Sequence, residues 1–258
     1  MSAVLLNSTQ VTGRHVRAFL RQPWYVAVTL VQPVIWLLLF GQLFKSVVEI
    51  PGFTTSSYIA FLTPGIVVMT ALFSSGWSGM GYITDLDRGV MDRFLVTPVS
   101  RAAMIAGQLT FQATMTVLQS LIILGLGLLA GARFPGGLAS IAAFLLATTL
   151  LGSAFAALSN TLALLLRKEE SVIAAVNFVV LPLTFLSSTF MPAQLVPQWI
   201  RDVSRYNPVN WAVEVGRQTL TTTVDWQIVA TRGGALLALA LVCAWISVRA
   251  FRAYQRSI

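Results

Sequence analysis

Residues 82–101 read Y-I-T-D-L-D-R-G-V-M-D-R-F-L-V-T-P-V-S-R, and this short charged stretch decides the fold. On both sides of it the chain is apolar over runs long enough to cross a bilayer. The stretch holds Asp85, Asp87, Arg88, Asp92, Arg93 and Arg101 in a chain of which only 10% is charged. Asp85 and Arg88 are spaced i,i+3 and Arg88 and Asp92 i,i+4. Each such pair supports a short helix by about 0.2–0.5 kcal/mol. Pro98 ends that helix before the next apolar run. Two readings are open: a solvated loop whose charges satisfy one another, or a docking helix that a soluble partner grips and moves.

Working outward, the 258 residues are 56% hydrophobic with a mean hydropathy of +0.78, too apolar for a soluble domain of this size. The first apolar run begins near Trp24 behind a polar, basic segment, and no A-x-A-like site follows it, which argues against a cleavable signal peptide. The net charge of +8 sits beside the apolar runs and forms no single patch, so anionic headgroups and the positive-inside rule explain it better than nucleic acid does. One cysteine, Cys243, excludes a disulfide framework, and one histidine, His15, cannot build a metal cluster.

The periodicity predicts an all-α membrane protein: a single domain over 1–258 with six transmembrane helices. Residues 1–23 mix Val4, Val11, Val16 and Phe19 with Arg14, Arg17 and Arg21, which suits an N-terminal interfacial helix. The spans are expected at about 24–44, 58–81, 102–130, 138–166, 172–190 and 233–248. Residues 84–101 form the charged intracellular segment. Ser75 and Gly79 make a small-xxx-small pair that permits close helix approach. Between spans five and six, residues 191–230 are proline-punctuated and amphipathic, with Trp199, Tyr206 and Trp211. Two short outer re-entrant helices fit there, at about 197–205 and 208–220.

Polar side chains inside the spans are few. Gln108, Gln112 and Gln119 are spaced i, i+4 and i+11, so at about 100° per residue all three share one face. Asn177, Thr184 and Ser188 share another by the same arithmetic. These faces are either interhelical hydrogen-bonding glue or the lining of a substrate path. With both termini inside, eleven Lys and Arg lie on the inner side and six on the outer, most of the six in the long segment before span six.

No Asp, Glu, Lys, Arg or His falls in the middle of a predicted span, so the chain lacks the titratable groups of a proton relay or an intramembrane acid–base pair. Nor is there a G-x-x-x-x-G-K-[ST] phosphate loop: Lys45 and Lys168 are its only lysines, and neither follows a glycine. Any uphill transport therefore draws its energy through the cytosolic face, and that favours the docking reading of the charged stretch.

The chain resembles the ABC-2-type permeases, in particular the daunorubicin-resistance-like drug exporters of bacteria. The match rests on the six-span topology, on the D-R-G-…-T-P-V-S-R segment at Asp87–Arg101 and on M-P-…-P-x-W-…-N-P at Met191–Pro208. Asp87 stands where many relatives carry Glu. The resemblance implies a non-enzymatic membrane subunit in the bacterial inner membrane with both termini cytoplasmic. It would pair with a second permease copy or a sibling, and with a separate ATP-binding cassette subunit that carries the ATP and magnesium. It further implies that Asp85, Asp87, Arg88, Gly89, Asp92 and Arg93 belong to a coupling helix and that 192–208 belongs to the outer re-entrant helices. An amphipathic drug or lipid-like substrate would then pass faces carrying Gln108, Gln112, Gln119, Asn177 and Thr184. Polysaccharide or glycolipid export, and a non-transporting membrane anchor for a cytosolic protein, remain as alternatives. A membrane-embedded enzyme lacks any candidate acid–base pair.

Overall fold

The computed structural model describes residues 23–50, 57–87 and 101–256. The interfacial helix expected over 1–23 lies outside them except for Pro23, and so do Arg88, Gly89, Asp92 and Arg93. Among the described residues every regular element is helical.

Helix α1 (Pro23–Ile35) starts on a proline, whose missing N–H has no helical partner to lose in a first turn. Pro33 removes a second donor inside it, and the ladder then widens into a π-helix over Trp36–Phe40 before closing as α2 (Gly41–Leu43). Trp36 and Phe40 stack in the widened turn at 4.6 Å. A Cβ on Gly41 would stand 2.6 Å from Ile59 Cγ1, so the approach of this helix to the next depends on the glycine.

Helix α3 (Tyr58–Gly76) is buried along nearly its whole length and is the hub of the bundle. It touches the first helix, α5 (Arg101–Leu129), α6 (Gly137–Leu166), α7 (Glu169–Phe185) and α9 (Pro208–Arg217). Leu62, Ile66, Val67, Val68 and Leu72 fill its core faces with no exposed surface. Helix α10 (Trp226–Arg256) lies along α6. Among the described residues four helices are long and apolar enough to cross a membrane: Tyr58–Gly76, Gly107–Leu129, Gly137–Leu166 and Trp226–Phe251. The first apolar helix and α7 are shorter.

The bundle has two unlike ends. One gathers residues 44–50, 130–136 and 186–225, where Gly136 N donates to Thr219 O at 3.1 Å. The other carries the turn at 77–79 and the two-residue link Arg167–Lys168 between α6 and α7.

Three spans differ from the sequence reading. Span two, expected to reach Gly81, stops at Gly76, where the ladder gives way to i→i−3 bonds from Ser78 N to Ser75 O and Met80 N to Trp77 O, both 3.1 Å. The helix resumes as α4 (Met80–Asp87). Span five, expected to reach Phe190, ends at Phe185, where Leu186 N closes the last turn on Pro182 O at 2.8 Å. Span six, expected over 233–248, begins seven residues earlier because Asp225 Oδ1 accepts from Gln227 N at 2.9 Å and Ile228 N at 3.2 Å, a helix cap. The two short helices of 191–230 form as α8 (Gln198–Ser204) and α9, the latter extended by a 3₁₀ turn over Gln218–Leu220.

Candidate functional site

The break between α3 and α4 is where the predicted polar stripe spends its hydrogen bonds. Gln108 Nε2 donates to Ser78 O at 3.0 Å and reaches Asn160 Oδ1 at 3.5 Å. Ser78 Oγ donates to the same Asn160 Oδ1 at 3.1 Å. Gly79 N donates to Ser159 Oγ at 3.0 Å, and Ser159 Oγ donates in turn to Gly76 O. One turn along α5, Gln112 Nε2 reaches Ser75 Oγ at 3.1 Å and Ser74 Oγ at 3.3 Å. Ser75, Gln108, Gln112, Ser159 and Asn160 lie buried, and Ser74 and Ser78 half-buried. In a bilayer such interhelical bonds contribute about 0.6 kcal/mol each, and up to about 1.7. A three-residue turn is thereby tied to α5 on one side and α6 on the other.

Gly79 makes this fit possible. A Cβ there would lie 2.4 Å from Ser159 O, closer than any side-chain carbon can sit. The small-residue pair Ser75 and Gly79 does bring helices together, but through a turn instead of a continuous helix. Asp85 and Asp87 fall on the backbone of α4, the element that leads out of this turn.

The other predicted site residues lie elsewhere. Gln119 is buried and donates through Nε2 to Thr29 Oγ1 of α1 at 3.3 Å. Thr184 is buried with its hydroxyl on Val180 O of its own helix at 2.8 Å. Asn177 is half-buried on α7, which packs against α3 and α6. Within one copy the three glutamines bond to α1, α3, α6 and the α3–α4 turn, while Asn177 and Thr184 belong to a separate helix.

A second polar assembly occupies the long-loop end, and its core was not singled out from the sequence. Asn207 Oδ1 caps α9 by accepting from Val209 N at 2.9 Å, while its Nδ2 donates to Leu183 O at 2.7 Å and Leu186 O at 3.0 Å. One side chain thus satisfies the start of α9 and the end of α7. Asn210 Oδ1 accepts from Ser188 N at 3.0 Å, and its Nδ2 donates to Glu214 Oε1 at 2.8 Å. Glu214 Oε2 pairs with Arg232 Nε of α10 at 2.6 Å. Arg217 donates to Ser188 O and lays its guanidinium carbon 4.2 Å over the Phe61 ring of α3. Burial pulls Arg217 down to about 10, Glu214's charge acting the other way, so it stays cationic at neutral pH. The i,i+4 and i+3 spacing of Asn210, Glu214 and Arg217 on a short helix was the available signal.

Among the described residues the chain is an apolar helical bundle with polar ties at both ends, four of its helices long enough to cross a bilayer. Comparison with known proteins fixes the family. The family model for the ABC-2 type transporter matches residues 8–221, and the chain belongs to that family. Among relatives, the Pyropia yezoensis protein named as transport permease ycf38 is 31% identical over 208 residues, 80% of this chain and 70% of its own. The daunorubicin resistance ABC transporter permease protein DrrB1 of Streptomyces coeruleorubidus is 26% identical over 239 residues, 93% of this chain and 83% of its own. A Mycobacterium tuberculosis protein named as doxorubicin resistance ABC transporter permease protein DrrC is 24% identical over 217 residues, covering 84% and 76%.

Proposed function

We propose that the chain is the membrane-spanning subunit of an ATP-driven exporter that moves an amphipathic drug or lipid-like molecule out of the cell. The observation that carries the reading is membership of the ABC-2 family by a chain with no phosphate loop of its own. ATP and magnesium belong to a separate cassette subunit, and a second permease copy or sibling completes the assembly. The relatives named for daunorubicin and doxorubicin resistance support a hydrophobic substrate.

In this reading the first apolar helix and α7 join the four long helices as spans, giving six, with both termini cytoplasmic in a bacterial inner membrane. Helices α8 and α9 are the re-entrant pair. The segment 84–101, with Asp85, Asp87, Arg88, Gly89, Asp92 and Arg93, receives the ATPase. Its movement enters the bundle at the 77–79 turn, whose ties to Gln108, Ser159 and Asn160 carry it to α5 and α6. Substrate passes between paired copies, and Gln108, Gln112, Gln119 and Thr184, buried within one copy, meet it with Asn177 when the helices that cover them move apart.

The test reverses two charges together, Asp92→Arg with Arg93→Asp, in the permease co-expressed with its ATPase. Stimulation of ATP hydrolysis by the permease should fall at least tenfold while the bundle melts as before. Unchanged stimulation and assembly would overturn the assignment of this segment.

A further inference from the structure

A cavity of about 160 Å³ lies where α1, α3 and α5 meet, between Thr29 and Gln32 of α1, Met69, Phe73 and Trp77 of the α3 side, and Gln119 of α5. Its chemistry is unbalanced. Gln119 is 2% exposed, and with its Nε2 given to Thr29 its Oε1 has no donor among the described residues. Leaving a buried amide oxygen unsatisfied costs about 1–3 kcal/mol. Among the described residues five buried side-chain N or O atoms lack a hydrogen-bond partner, and the Gln119 oxygen is the one whose residue lines this cavity. Neighbouring hydroxyls do not help: Thr70 gives its proton to Ile66 O, and Ser74, whose Oγ accepts from Gln112, makes no bond to the Gln119 oxygen. At the rim, Gln32 is exposed on a helix whose other side chains, Thr29 and the aromatic tips apart, are apolar, and Trp77 is 48% exposed. An amide facing hydrocarbon is unfavourable unless something answers it.

We infer that this cavity is a binding site within a single copy for a flat aromatic molecule carrying a hydroxyl or N–H, which donates to Gln119 Oε1. Phe73 and Trp77 supply aromatic walls, Met69 a soft, adaptable one, and Gln32 a second polar contact at the mouth. Lipid acyl chains fill such a space without offering a donor, so they leave the Gln119 oxygen as it is. Water offers donors but meets mostly apolar walls, and a stable buried water wants about three polar partners. A ring with one donor satisfies both halves of the lining. The site requires neither the ATPase nor the paired copy, so it goes beyond the transport reading, whose path runs between copies, and its failure would leave that reading standing.

The experiment uses the whole chain in lipid nanodiscs without an ATPase, photolabelled with 4-azidophenol and mapped by peptide mass spectrometry. Competitors are 1-naphthol and 1-methylnaphthalene, nearly the same shape with and without the donor, compared at equal concentrations in the membrane. Label should concentrate on the peptide holding Phe73 and Trp77, and 1-naphthol should displace it at roughly tenfold lower concentration than 1-methylnaphthalene. Gln119→Leu should erase that difference, and Gln32→Leu, at an exposed position, should weaken 1-naphthol about two- to threefold. Equal displacement by the two competitors in the unaltered protein, or label spread evenly over the outer helices, would overturn the site. That first comparison needs no variant, so it decides the matter even if Gln119→Leu fails to fold. A Gln119→Leu protein that folds and still prefers 1-naphthol tenfold would equally overturn it, since water or another group would then be answering the donor.

Discussion

Replacing Asn207 with alanine should be among the most damaging single changes outside the apolar core. The side chain is 3% exposed and makes three bonds, to Val209 N, Leu183 O and Leu186 O, at 2.7–3.0 Å. Losing the cap on α9 costs about 1 kcal/mol. Losing the two bonds to carbonyls costs about 1 kcal/mol each on average, and more where the carbonyl is left buried with no replacement. The total is about 3 kcal/mol. Asn207→Ser keeps a cap acceptor but cannot span to both carbonyls, so it should recover about 1 kcal/mol of that loss. Thermal unfolding of the purified protein in detergent, followed by helical circular dichroism, should rank the three as native, Ser, then Ala. At roughly 2–4 °C per kcal/mol for a chain of this length, the Ala variant should melt some 6–12 °C lower. If Ala and Ser both melt within a degree of the native chain, Asn207 does not hold α7 and α9 together and the reasoning is refuted.

Two further outcomes follow from the tied turn. Gly79→Ala puts a carbon 2.4 Å from a backbone carbonyl that cannot yield cheaply, so the variant should lose monodispersity on size exclusion, whereas Gly125→Ala, with nothing nearby, should elute as the native chain does. Gln108→Leu and Asn160→Leu share the Ser78 junction, so a double-mutant cycle on melting should show coupling of about 0.5–1.5 kcal/mol, against none for Gln108→Leu with Thr184→Val on a separate helix.

Much of the bundle was legible because a long apolar run has few alternatives in a bilayer. The α5 and α6 boundaries fall within a residue of their expected places. The short helix expected at about 208–220 forms as α9, opened by the Asn207 cap and Pro208. Less local features stayed hidden. Hydropathy sees the greasy middle of α10 and misses its polar ends, one of them fixed by Asp225. Nothing in S-S-G-W-S-G distinguishes a close-packed helix end from a turn, because the deciding contact is Ser159, some 80 residues away. The glutamine face was readable by angle, but which groups it would meet was not. Nor do the charges of α9 by themselves tell that Arg217 lies over Phe61 of α3.

Between Gly76 and Met80 the peptide ladder thins; the turn leading into α4 is held by hydroxyls and amides reaching from α5 and α6, and α4 itself by Ile83 in the apolar core. Torque applied to α4 from any source is therefore passed on by a few springs of roughly a kilocalorie each, softer than a continuous helix. The slack of that linkage is adjustable one side chain at a time, so machines of this design can be tuned for stroke and speed at a joint remote from fuel and cargo alike.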